Sequence, residues 1–159
     1  MSDKLRDLIA VERKHLNREL ALYRPLLSKC VNEAPNEIEL AALAAMLHSF
    51  YGGVENIFKQ IVTELGETLP EGKSWHRELL DLMTNPTASR ATVISTEMSY
   101  RLDEYLSFRH AFRHAYSFRL RWDKMAPLTL GCEETLRLLE AELDVFLQTG
   151  EQADQPEET

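Results

Sequence analysis

The stretch "PNEIELAALAAMLHSFYGGVENIFKQIVTELG", residues 35–66, decides the fold class. Its apolar residues Leu40, Leu43, Leu47, Phe50, Val54, Ile57, Ile61 and Leu65 recur three and four positions apart, which is the period of one face of an α-helix. Asn36 is the expected N-cap and Glu39, three residues on, completes the pattern of a capping box. Gly66 supplies the stop. The adjacent Gly52 and Gly53 weaken a helix by about 1 kcal/mol each relative to alanine. Close packing against a neighbouring helix is the favoured reason for them, and room for a ligand is the other.

Working outward, the same period appears upstream. Leu5, Leu8, Ile9, Leu16, Leu20, Tyr23 and Leu27 predict a helix from Asp3 to Lys29, capped by Ser2 and kinked or shortened at Pro25. Downstream, "GETLPEGKS" reads as a loop, and Ser74 is the expected cap of a short helix reaching about Met83. The polar connection "TNPTASRATVIS" follows, and Ser95 or Thr96 then caps a longer helix carrying Met98, Leu102, Tyr105, Leu106 and Phe112. Pro127 and Gly131 interrupt the chain before a last helix, with Leu136, Leu139, Leu143, Phe146 and Leu147 as its stripe and Gly150 as its end. With neither strand alternation nor internal repeats, the chain reads as an all-α bundle of four or five helices. One domain spans 1–150, and the apolar-poor acidic tail 151–159 is expected to be disordered.

Composition narrows the function. The 159 residues are 44% hydrophobic, enough for one core. Eighteen basic against 26 acidic residues give a formal net charge of −8, so an anionic partner has to be met by a local patch and not by the surface as a whole. Two cysteines, Cys30 and Cys132, fit a reduced thiol pair better than a disulfide framework. No run of apolar residues is long enough for a membrane span, and the charged start "MSDKLRDLIAVERKHL" is unlike a signal peptide, so a cytoplasmic location is expected.

The patch is at "FRHAFRHAYSFRLRW", residues 108–122, where four of the 18 basic residues, Arg109, Arg113, Arg119 and Arg121, stand with His110 and His114 and no acid. Arginine's planar fork suits phosphate oxygens, and the interleaved Phe108, Phe112, Tyr116, Phe118 and Trp122 either stack on bases or, more in keeping with their spacing, pack the core. Arg109, Arg113 and Tyr116 share one helix face. Arg109 and His114 are separated by roughly 140° and 7.5 Å of rise. One copy of the helix therefore brings them together poorly, and a second copy across a symmetric interface is one remedy. Arginine with histidine is sufficient in principle for RNA cleavage without a metal: the histidine moves a proton as the 2′-hydroxyl attacks the adjacent phosphate, and the arginine stabilises the charge that develops on its oxygens.

"RHAFRHAY" matches the R-x4-H motif of the HEPN superfamily at Arg109 and His114, with the polar His110 directly after the arginine. His114-Ala115-Tyr116 resembles the H-x-Y extension of the HepT-like ribonuclease toxins. The resemblance extends over "AALAAMLHSFYGGVENIFKQI" and the last helix, from about residue 12 to 149. It implies a HEPN-like helical domain that homodimerises and sets two motifs along a shared cleft, with Arg109 and His114 as the catalytic pair and His110 assisting. It implies an RNA substrate, tRNA or mRNA, and a partner, a minimal nucleotidyltransferase antitoxin of the MntA type that transfers AMP to Tyr116. The result would be a metal-independent toxin ribonuclease of a HEPN/MNT toxin–antitoxin pair. A non-catalytic HEPN module that binds nucleotide or RNA and partners a nucleotidyltransferase is the alternative.

The family pattern does not fix Arg113, Arg119 or Arg121. They are RNA contacts on charge alone, and ordinary solvated or ion-paired arginines otherwise. His110 and His114 also have the i, i+4 spacing of a helical metal pair, but the nearby arginines repel a dication, so neither a metal nor a cofactor is expected. The lone histidines His48 and His76 read as hydrogen-bonded packing residues, and Glu55 as an ion-pair partner for the Arg109 region. Phosphate-binding glycine loops, nucleophile elbows and paired catalytic carboxylates do not stand out.

Overall fold

A computed structural model describes residues 1–114 and 119–153, giving only the backbone for His114 and for residues 151–153. Among the described residues it contains six helices and no strand: α1 (Asp3–Cys30), α2 (Glu37–Glu64), α3 (Trp75–Leu82), α4 (Thr96–His114), α5 (Trp122–Leu130) and α6 (Cys132–Ala153). The all-α reading holds.

α2 is the central element, packed against α1, α3, α4 and α5. Its stripe is buried as the period requires: Leu43, Leu47, Phe50, Val54, Ile57 and Ile61 are each no more than 1% exposed. The capping box is formed, with Glu39 N–H donating to Asn36 Oδ1 at 2.8 Å and Asn36 N–H to Glu39 Oε1 at 3.1 Å. Gly66 follows the helix at φ 71°, the left-handed conformation that ends it without a Cβ penalty. The two mid-helix glycines differ in purpose. A Cβ on Gly53 would come within 2.6 Å of a methyl of Leu16, so α1 crosses α2 there, whereas a Cβ on Gly52 meets nothing within 4 Å. Close packing explains only one of the pair.

α1 is capped by Ser2, whose hydroxyl accepts from Leu5 N–H at 3.3 Å, and it is not shortened by Pro25. The proline removes one N–H and clashes with the preceding turn, which costs a helix about 3 kcal/mol. Burial of Leu16, Leu20, Leu27 and Cys30 on both sides of it carries the helix through. α6 returns alongside α1. The N-terminal ammonium donates to Gly150 O at 3.3 Å, Arg6 to Leu147 O at 2.8 Å, and Arg13 pairs with Asp144 and Glu140 at 2.6 and 3.3 Å.

Four details depart from the sequence reading. Pro127 does not interrupt the chain but lies inside α5, and only Gly131 separates that helix from α6; Tyr105 O–H donates to Leu128 O at 2.8 Å, fastening α5 to α4. α6 passes Gly150 and reaches Ala153, while the rest of the tail, 154–159, lies outside the described residues. Ser74 occupies the N-cap position of α3 without a side-chain capping bond. Phe112, expected on the buried stripe of α4, is 36% exposed; it stacks on Phe108 and meets the edge of His48 at a centroid distance of 5.7 Å. The other stripe residues of α4, Met98, Leu102, Tyr105 and Leu106, are buried.

α4 is positioned at its start. Ser95 Oγ accepts from Met98 N–H at 3.1 Å, which makes Ser95 the cap, and Ser95 itself donates through N–H and hydroxyl to Glu142 of α6 at 3.0 and 2.6 Å. The connection between α3 and α4 is held by Arg90, whose side chain is fully buried. It donates to the carbonyls of Leu82, Asn85 and Ala91 at 2.9–3.2 Å and pairs with Glu67 at 3.2 Å. Those four acceptors satisfy a charge that would otherwise be costly to bury.

Candidate active site

α4 carries Arg109 into the space between α2 and α3. Its guanidinium is 13% exposed and stands 3.9 Å from Glu55 Oε1, the ion pair expected from the sequence; Glu55 is on α2 and its side chain is 4% exposed. The other oxygen of Glu55 lies 2.6 Å from His76 Nδ1, on the first turn of α3. Arg109 Nη1 is 3.5 Å from the same nitrogen. Three helices therefore meet through one buried carboxylate. Arg109 Nε is buried and has no hydrogen-bond acceptor among the described residues.

The ring of His76 is packed on the neighbouring indole, with centroids 3.7 Å apart and planes 28° from parallel, and Lys59 Nζ sits 4.6 Å from the Trp75 ring centre. Arg77, one residue further along α3, is ion-paired with Asp103 of α4. Together α3 and α4 border a surface cavity of about 300 Å³ lined by Lys73, His76, Arg77, Arg109, His110 and Arg113 along with Ser74, Leu106 and Ser107. Four cations and two histidines with no acid among the lining residues make it a place where field lines from one sign of charge converge, in a chain of net charge −8.

Arg109 also borders a second cavity of about 420 Å³ with Glu19, His48, Ser49, Gly52 and Glu55, which is where the open side of Gly52 faces. There burial pushes the His48 imidazole below its ordinary value, and Arg109 and Arg113 push in the same direction against Glu19. Tyr51 is buried beside this cluster. Desolvation raises its phenol, Glu55 and Asp103 add to the rise, and its hydroxyl has no hydrogen-bond partner among the described residues.

Of the residues singled out in the sequence, Arg109, His110 and Arg113 come together in the cationic cavity. His114 is the last residue of α4, its side chain outside the description, and Tyr116 lies outside the described residues altogether. Arg119 is exposed in the connection that follows, and Arg121 is turned to Asp123 through a two-pronged contact at 3.2 and 2.9 Å; neither lines the cavity. The sequence reading missed the contribution of α3. His76, taken there as a packing residue, is bonded to Glu55 and faces the same cavity as the motif, and Lys73 and Arg77 join it. The available signal was "GKSWHREL", a histidine between two cations at a helix start. Its distance of more than 30 residues from the motif hid the meeting.

A family model described as HepT-like protein matches residues 42–150, which takes in α2 to α6 almost completely and both halves of the cavity. No curated protein and no solved structure gives a significant match to the chain.

Proposed function

The chain belongs to the HepT-like protein family, and on that premise we propose that it is a toxin ribonuclease that cleaves RNA without a metal ion through Arg109 and His114. The observation that carries this reading is the cavity of α3 and α4, where the arginine of the R-x4-H motif, backed by Glu55, stands with His110 and Arg113 in a lining that holds four cations and no acid. A phosphate of an RNA chain is the natural occupant of such a place, held by guanidinium forks and approached from single-stranded RNA that can bend into it. The 2′-hydroxyl attacks the phosphorus, its proton passes to a histidine, Arg109 stabilises the phosphorane oxygens, and a second histidine protonates the departing 5′-oxygen. The products are a 2′,3′-cyclic phosphate and a 5′-hydroxyl.

Two chains pair in this proposal so that both motifs lie along one cleft, which supplies the His114 that a single helix sets roughly 140° away from Arg109. Silencing comes from a minimal nucleotidyltransferase that places AMP on Tyr116. The added bulk and negative charge close to a cationic cleft oppose RNA binding by sterics and repulsion.

The test is expression with and without a minimal nucleotidyltransferase of the MntA type, followed by growth, RNA integrity in EDTA, and intact mass. Growth arrest and RNA with cyclic phosphate ends are expected from the wild type, neither from His114→Ala, and AMP increments that disappear in Tyr116→Phe. Wild type and His114→Ala that are equally harmless, with RNA intact in both, would exclude the enzyme. RNA binding that weakens with salt and with Arg109→Ala, but yields no cyclic phosphate, would leave a non-catalytic binding module in its place.

A further inference from the structure

Cleavage of RNA by transesterification needs two proton transfers, one from the 2′-hydroxyl and one to the 5′-oxygen, and the geometry of α3 supplies a group for the first of them. His76 is held as a proton acceptor has to be held. Its Nδ1 is 2.6 Å from Oε2 of Glu55, a carboxylate 4% exposed. An ionised carboxylate only accepts, so the proton in that contact belongs on Nδ1, and the tautomer leaves Nε2 with its lone pair. The packed indole of Trp75 fixes the ring further, Arg109 Nη1 stands 3.5 Å from the same Nδ1 as a second donor to the Glu55 side of the site and not as a bond to the ring, and the 24% of the side chain that remains exposed borders the cationic cavity. A carboxylate, an imidazole and an open second nitrogen in line form the arrangement by which a neutral histidine is made a directed base.

We propose that His76, oriented by Glu55, is the proton acceptor for the 2′-hydroxyl at the phosphate held in this cavity. The assignment rests on the ribonuclease reading above and adds to it a residue outside the R-x4-H motif. The 2′-O–H bond breaks and its proton goes to Nε2 as the 2′-oxygen bonds to phosphorus. The bond from phosphorus to the 5′-oxygen then breaks, and that oxygen leaves with a proton given by a motif histidine. The imidazolium formed at His76 is stabilised by the adjacent Glu55 carboxylate until its Nε2 proton passes to solvent, and the motif histidine recovers a proton from solvent. Arg109, in contact with both His76 and Glu55, ties the acceptor to the phosphate it serves.

The experiment uses the full chain, a fluorophore-labelled mixed-sequence RNA oligonucleotide, its 2′-deoxy counterpart for binding, and uridine 3′-(4-nitrophenyl phosphate), whose leaving group departs without a proton. His76→Asn is the informative variant, because its amide nitrogen can replace Nδ1 toward Glu55 while no second nitrogen remains. Expected are a kcat lower by about 100-fold or more on both RNA and the aryl ester, loss of the acid-side limb of the pH profile, and a Kd for the deoxy oligonucleotide changed by less than about threefold. His114→Ala is expected to lose RNA cleavage but regain rate on the aryl ester. His76→Ala should regain rate with added imidazole, which separates a missing base from a disturbed fold. Unchanged kcat and pH profile in His76→Asn, or a loss confined to KM, overturn the assignment while leaving the ribonuclease reading intact. A wild type that cleaves neither substrate overturns both.

Discussion

Glu55 and Arg109 stand 3.9 Å apart with side chains 4% and 13% exposed, so the arginine of the motif is anchored by a carboxylate that solvent scarcely reaches. Removing one partner of such a pair leaves a buried charge without compensation and costs about 3 kcal/mol. Glu55→Ala is expected to lose about that much in urea unfolding, and Glu55→Gln, which retains an acceptor for His76 and Arg109, distinctly less. Equal midpoints for wild type and Glu55→Ala would mean that α2 does not anchor the site.

Arg90 predicts a larger structural effect away from the site. Arg90→Met removes donors to three carbonyls and to Glu67 from a fully buried position, and a loss of about 3–5 kcal/mol is expected. Burial raises the Glu67 carboxyl, but hydrogen bonds from Ser89 and Thr87 and the charge of Arg90 outweigh it and hold the group below its ordinary 4.5. A depressed carboxyl contributes stability that is present above about 4.5 and disappears as pH falls through the lower folded value. Thermal melts of Glu67→Gln should start lower at neutral pH and lose less than wild type on acidification.

His48 acts in a different pH window. Its imidazole is depressed from 6.5 by burial and then by Arg109 and Arg113, with Glu19 opposing. The unfolded chain therefore takes up this proton at higher pH than the folded one. Stability is complete above about 6.5 and declines as pH falls through the folded value. His48→Gln should flatten melting temperature against pH between neutrality and mild acid. A profile that keeps its slope would place the titration elsewhere.

The glycine pair separates local from tertiary effects. Gly52→Ala adds a methyl into space with nothing within 4 Å, and helix propensity alone should stabilise it by about 0.5–1 kcal/mol. At Gly53 a Cβ would sit 2.6 Å from a Leu16 methyl, so Gly53→Val should destabilise by about 1–3 kcal/mol through overpacking of α1 on α2. Melting curves of the two variants should move in opposite directions.

Local signals were legible in the sequence. The stripe of α2, its capping box and its glycine stop each depend on residues within a few positions of one another, and all are present. The Glu55–Arg109 contact was within reach because both residues stood out on long helices, one as an acid on an apolar face and the other in the motif. His76 was not. Its value depends on Glu55, 21 residues away across the loop that follows Gly66, and no period crosses a loop. Arg90 likewise looks like any polar-loop arginine until its four acceptors are in place. α5 escaped because Pro127 and Gly131 are breakers by local rules, and its anchoring to Tyr105 is a tertiary bond that those rules do not include.

The bond from Met1 N to Gly150 O spans 149 positions of sequence in 3.3 Å of space, which brings the start of α1 against the last turns of α6. The order of the helices is thus not tied to where the backbone is opened. Joining Met1 to Gly150 with a short flexible linker in place of residues 151–159, and reopening the chain in the exposed turn at residues 31–34, away from every residue of the cavity, should give a circular permutant with the same bundle. In such a molecule α2 would be made first and α1 last, so the helix that supplies Glu55 would have to wait for its largest neighbour.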